Sequence, residues 1–329
     1  MEYFEKENPD SLSSQPQISS YQMITRRNIR VKIMQTLYSL EAQQNSKPGE
    51  AQKILQKHFD YSGQLLVYLI FFLTEIARYA EKDSARRSSK HLPTELDKNV
   101  NTKLAGNQLL WNILEQESYQ EALKEQKPEL IDHAELVRKL YLELRESEPY
   151  KKYINAEARD KKQEKEILEY IFNDFLLPNE AFESHLEEYF SNWSDDAEMM
   201  QKLVSGYLNK IGAFNFQEII SPEKSKFARD LLSAVLEKKE ITQGLIRPKL
   251  KNWDAERIAT LDMILMQMGV CEFLYFETIP PKVSINEYID LAKEYSTPQS
   301  GQFVNGILDN IHKELVQENK MHKVNFKAS

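Results

Sequence analysis

Residues 25–44 read Thr-Arg-Arg-Asn-Ile-Arg-Val-Lys-Ile-Met-Gln-Thr-Leu-Tyr-Ser-Leu-Glu-Ala-Gln-Gln, and this stretch sets both the fold class and the first candidate site. Ile29, Ile33, Leu37 and Leu40 recur at spacings of 4, 4 and 3, which places them on one face of a helix. Thr25 stands where an N-cap belongs, and Asn45 to Gly49 (NSKPG) supplies a stop. Residues 21–40 also hold Arg26, Arg27, Arg30 and Lys32 and no acid, a local excess of four positive charges in a chain of net charge -8. Arg27, Arg30, Met34 and Tyr38, spaced 3, 4 and 4, form a second stripe beside the apolar one. Two readings of that stripe stand together. It is a phosphate-binding strip ending in an aromatic platform for a splayed base, which suits single-stranded RNA. Alternatively it is a solvated basic face with Tyr38 half-buried in the core.

The same periodicity continues through the chain and predicts an all-α protein. Helical patterns run over Gln64–Ala80, Leu104–Leu114, Leu130–Leu144, Ile167–Leu177, Phe182–Phe190 and Met199–Ile211. The last third is the most regular. Phe227–Glu240, Ile241–Lys251 and Ala255–Phe276 precede Pro280 and Pro281, which break the pattern. A Ser284-x-x-Glu287 capping box is read as opening the next helix, and Phe303, Ile307, Ile311 and Leu315 mark the last one at a strict spacing of four. The organisation read from these patterns is a disordered tail over 1–20, a first helix with its arginines over 21–49, and a helical accessory region over 50–222. A helical core over 223–318 and a flexible tail over 319–329 complete it.

Composition removes several function classes. The 329 residues include 9 Gly, and no G-x-G-x-x-G or G-x-x-x-x-G-K-[ST] string occurs, so nucleotide cradles of those kinds are not expected. The single Cys271 forms no internal disulfide, and the six His fit no zinc spacing. Cys271 lies on an apolar stretch and reads as a small buried hydrophobe. His185 and Glu188 are spaced like half of a di-iron motif whose other half is missing. No carboxylate pair stands apart from the charged helix faces, so neither a catalytic centre nor a cofactor, metal or small-molecule substrate is expected. The longest apolar run, Leu65–Leu73, is nine residues, about half of the ~20 that cross a bilayer. With a polar N-terminus the reading is cytoplasmic, with no membrane partner. Residues 140–200 hold 16 acids against 7 bases and are expected to repel nucleic acid and to contact protein.

Five blocks taken together resemble the NusB family of bacterial transcription antitermination proteins. They are Arg26-Arg27-Asn28-Ile29-Arg30 with Gln35-Thr36-Leu37-Tyr38, then Phe227 to Leu232, then Trp253 to Phe273, then Lys282 to Lys293, and finally Phe303 to Asp309. The resemblance covers about 25 residues near the start and about 95 at the C-terminal end, in the family's order. It implies two small helical bundles packed together and no catalysis. It further implies that the chain joins a small ribosomal protein, NusE, grips a boxA element in nascent RNA, and helps RNA polymerase read through ribosomal RNA operons. By motif position Arg26, Arg27, Arg30 and Tyr38 are the RNA-contacting helix residues, Gln302 and Phe303 fall at further RNA contacts, and Asp262 and Glu272 lie on the helix that meets NusE. Met263 and Gln267 stand where arginine is usual in the family, and the region between the first helix and Phe227 is an insertion of roughly 170 residues. That insertion is expected to dock on polymerase or another antitermination factor and to be dispensable for RNA binding. The alternative is a helical protein scaffold of the same fold that has lost RNA binding. A methyltransferase-linked reading fails for want of strands and glycines.

Overall fold

The computed structural model describes residues 24–43, 49–92, 94–95, 100–250 and 258–324, and among these there is no β-strand. The chain is all-α. Helix α1 (Arg26–Gln43) begins where expected: the Asn28 backbone N–H donates to Thr25 Oγ1 at 3.3 Å, and the Thr25 N–H donates back to Asn28 Oδ1 at 3.3 Å. Two otherwise orphaned donors are satisfied reciprocally, as in a capping box. The expected stop falls mostly on residues 44–48, outside the described residues, as do the tail 1–20 and the first five residues of the block that starts at Trp253.

Helix α2 (Glu50–Ser88) is 39 residues long, about 58 Å at 1.5 Å per residue. Gly49 precedes it at φ 81°, a conformation that costs a Cβ-bearing residue and that glycine adopts freely. The run Leu65–Leu73 lies in its middle, and all of it except Phe71 is buried. By length and composition alone α2 could cross a membrane, but 72% of its most apolar window is buried inside the fold. An apolar surface all round a helix demands neighbours all round it. The chain supplies them: α3 (Gln108–Glu115), α4 (Glu117–Gln126), α5 (Ala134–Leu144), α9 (Trp193–Asn209) and α10 (Pro222–Glu237) pack on α2, and so does α1. The middle region is completed by α6 (Glu148–Asn155), by α7 (Lys161–Tyr170) with a π-helical turn at Ile171–Leu176, and by α8 (Glu180–Tyr189). Asn107, Ser147, Asp160 and Asn179 cap α3, α6, α7 and α8 through their side chains. Helices α4 and α6 were not foreseen.

The C-terminal bundle is α10, α11 (Lys239–Ile246), α12 (Thr260–Tyr275), α13 (Pro281–Tyr295) and α14 (Ser300–Gln317), with α12, α13 and α14 packed mutually. At Gly269 of α12 an added Cβ would stand 3.0 Å from the Leu308 methyls and 3.2 Å from the Tyr288 ring, so glycine is what lets these helices approach. Helix α13 opens at Pro281, not at Ser284. Proline suits the first turn because its missing N–H has no partner there in any case. The Ser284 hydroxyl is inside the protein with another role, so the expected capping box does not exist.

Two expectations about organisation change. One hydrophobic core joins α1, α2, the middle helices and the C-terminal bundle, so α2 is a central helix and not part of an appendage. The C-terminal tail is fixed at least to Val324: Lys323 Nζ donates to the carbonyls of Glu272 (2.7 Å) and Phe276 (2.6 Å), and the Val324 N–H donates to Glu277 O at 3.1 Å.

Candidate nucleic-acid interface

Helix α1 packs against α2, α10 and α12. It buries Arg30, Lys32 and Met34 together with Ile29, Val31, Ile33, Leu37 and Leu40. The basic stripe is therefore not continuous. It enters the protein at Arg30 and Met34 and returns to the surface at Tyr38, which is 48% exposed.

Arg30 is 3% exposed and lies against Glu272 of α12, which is fully buried. Arg30 Nε donates to Glu272 Oε1 at 2.7 Å, one terminal nitrogen donates to Oε2 at 3.1 Å, and the other reaches Glu287 Oε2 at 3.2 Å. The Ser284 hydroxyl donates to Glu272 Oε2 at 2.6 Å, and the Tyr288 hydroxyl donates to Oε1 at 2.7 Å. Both carboxylate oxygens thus accept two hydrogen bonds, which is the condition for keeping a charge out of water. Burial pulls the Arg30 pKa down, but Tyr288 and the bonds and charge of Glu272 outweigh it and hold the group charged. Burial first, and then the Glu272 carboxylate, push the Tyr288 hydroxyl well up, so it remains a donor.

Two assignments change on this geometry. Arg30 is a core ion-pair residue and does not belong to a surface strip, and Glu272 is its counter-ion and offers no face to a partner. Asp262 is likewise buried, its Oδ2 accepting from the Ser300 hydroxyl at 2.7 Å across α12 and α14. Phe303 is 6% exposed and packs in the core, while its neighbour Gln302 is exposed in the first turn of α14. Gln267 is buried, Met263 is half-buried, and Asn286 and Asn305 are exposed. Cys271 is buried, and burial pushes its thiol up to about 12, so it carries no thiolate near neutrality. His185 stacks on Tyr68 at 5.7 Å, and among the described residues no group of three or more His, Cys, Asp or Glu is placed to hold a metal.

Arg26 and Arg27 remain at the surface. An Arg26 terminal nitrogen meets Glu223 at 2.6 Å, with the guanidinium 5.3 Å from the Phe227 ring centroid, and Arg27 meets Glu294 at 2.8 Å. Both pairs are solvent-exposed, the class that contributes least to stability and is most screened by salt. Arg27 and Tyr38 are eleven residues apart, about three turns, so they share a face of α1 some 16 Å apart along its axis. The acidic middle region does reach α1, but elsewhere: Lys32 Nζ lies 2.6 Å from Asp196 Oδ1 in a buried pair, and Gln35 Nε2 donates to Asp195 Oδ2 at 2.7 Å. Ser62 and Asn192 each donate to Asp196 Oδ2 at 2.7 Å. The buried Lys32–Asp196 pair was missed because nothing in the local sequence separates Lys32 from the surface bases Arg26 and Arg27. Glu272 was readable in principle, as the one acid in the apolar run Met263–Tyr275.

Residues 188–313 match the family model described as NusB family. A transcription antitermination protein NusB of Salinibacter ruber is 41% identical over 102 residues, 31% of this chain and 64% of that protein. Residues 188–313 are a NusB-family domain. A NusB of Methylacidiphilum infernorum is 46% identical over 83 residues, 25% of this chain and 58% of its own length. The NusB structure from T. maritima is 33% identical over 32% of this chain and 77% of that one, with a TM-score of 0.29. The chain thus spans somewhat more than half the length of these curated NusB relatives. The NusB match begins at residue 188, so it includes α9, which the sequence reading had placed in the insertion. It excludes α1.

Proposed function

We propose that this chain is a non-catalytic antitermination adaptor of the cytoplasm. In this reading it grips a boxA-like single strand of nascent RNA together with the small ribosomal protein NusE, and supports read-through of ribosomal RNA operons by RNA polymerase. Arg26 and Arg27 supply phosphate contacts, Tyr38 stacks on a base, and Gln302 adds a polar contact. Arg30 holds α1 against α12 and so positions the strip; it does not touch RNA. Phe303 supports Gln302 from the core, and Asp262 and Glu272 shape the C-terminal bundle that a protein partner meets.

The observation that carries this reading is the alignment of Arg27 with the half-exposed Tyr38 on one face of α1, next to Arg26, with both arginines ion-paired to exposed carboxylates. Phosphate oxygens displace such carboxylates readily, because a guanidinium binds either bidentately and the exposed pair is worth little. Titrating a fluorescent boxA-type single strand with the chain, alone and with the ribosomal protein, tests it. Saturable binding that tightens with the protein partner is expected. Absence of RNA binding in both titrations at low salt overturns the reading in favour of a protein scaffold.

A further inference from the structure

Beside Tyr38 the surface opens into a cavity of about 280 Å³ between α1, α2 and the start of α9. Gln35, Tyr38, His58, Tyr61, Asn192 and Asp195 line it. Its size is just below that of pockets for drug-sized ligands, and so suits a single ring system. Tyr61 is 38% exposed, so two tyrosines offer aromatic surface at this one opening.

Among the described residues no cation lines the cavity, and Asp195 brings a carboxylate, so a phosphate is disfavoured there. Burial, and then the charge of Lys32, lower the pKa of His58, which leaves its ring neutral. Two polar atoms of the lining residues are buried without a hydrogen-bond partner, Gln35 Oε1 and His58 Nε2. The Gln35 amide nitrogen is already committed to Asp195, so its oxygen is left as an acceptor in want of a donor. A buried acceptor without a partner is a standing cost that an N–H-bearing occupant removes. The required occupant is planar, uncharged and rich in adjacent N–H donors. A nucleobase has this description, and guanine presents its ring N–H and amino group side by side.

We infer that this cavity receives one unstacked nucleobase of the bound strand, guanine before the others, seated beside Tyr38 and Tyr61 with its donor edge toward Gln35 and Asp195. The inference deepens the proposed RNA function and rests on it for the strand that brings the base. His58, Tyr61, Asn192 and Asp195 come from the helices that the sequence reading treated as an accessory region. That region thus contributes directly to the site in spite of its acidic balance, because it reads a neutral base and leaves the phosphates to Arg26 and Arg27.

Saturation-transfer NMR on the full chain with guanosine, adenosine, cytidine and uridine tests the cavity apart from the strip, because nucleosides carry no phosphate. Transfer strongest to guanosine is expected. It should weaken about tenfold in Tyr61→Ala, the size of a lost base–aromatic stack, and weaken also in Asp195→Asn, with circular dichroism unchanged in both. Trp111→Ala, an exposed aromatic that does not line the cavity, should leave it intact. Absence of transfer to every nucleoside, equal transfer to all four, or transfer indifferent to both variants overturns the inference. Failure of the RNA strand to bind while guanosine transfer persists counts against the proposed function alone. Strand binding without nucleoside transfer counts against the cavity alone.

Discussion

Arg30 Nε stands 2.7 Å from Glu272 Oε1, and the two residues come from helices 242 positions apart in the chain. Their pairing fastens α1 to α12 through a contact that excludes water. Removing one partner of such a pair strands a buried charge, at a cost of about 3–5 kcal/mol. Arg30→Ala should therefore lower stability by that amount in chemical denaturation, while RNA affinity per folded molecule changes little. A stable Arg30→Ala protein with lost RNA binding would return Arg30 to the RNA surface.

Glu294 and Glu223 hold the two surface arginines in the free protein. Replacing Glu294 by Gln removes a competitor for Arg27 without burying anything. Stability should stay within about 0.5 kcal/mol, as for ordinary surface substitutions, and RNA should bind more tightly in an anisotropy titration. Weaker binding would show that the carboxylate assists the RNA complex.

Lys32 and Asp196 form a second buried pair, this one between α1 and α9. Asp196→Ala should cost about 3–5 kcal/mol, read by urea unfolding. By the same packing, a chain lacking residues 50–220 loses α2 and α9 and exposes most of one side of α1. Such a deletion should give a poorly dispersed amide NMR spectrum. A well-folded deletion would restore the accessory-region view.

Much of the helical content was legible because apolar spacing of three and four is a local signal, and Thr25, with its Asn28 partner, marked the first N-terminus correctly. What was not legible is which side of α1 faces solvent. Val31 and Met34, off the main stripe, already indicate a second apolar face, but the helices that cover it come from far along the chain. Arg30 and Tyr38 look alike in a helical projection, and only Glu272 on one side and open solvent on the other separate them. Ser284 carried a genuine capping pattern that lost to Pro281, whose fixed φ starts the helix one turn earlier.

Burial lowers the Lys323 pKa to about 8, against the opposing charge of Glu272 and Glu277. A lysine shifted below its ordinary 10.5 loses its proton from the folded chain first. Between about 8 and 10.5 the unfolded chain holds more protons, so stability rises with pH across that window. Comparing thermal unfolding of the wild type with Lys323→Met from pH 7 to 10.5 should show this rise in the wild type only. Parallel curves would place Lys323 in solvent.

The most direct measurement is the salt dependence of binding to a boxA-type single strand for the wild type, Arg26→Ala and Arg27→Ala. Each phosphate contact on a single strand contributes about 0.7 to the slope of log K against log salt. The expected result is a clearly negative slope that shallows by about that amount in each variant, with unfolding midpoints unchanged. Equal slopes and affinities in all three proteins would contradict the claim that α1 grips RNA through Arg26 and Arg27.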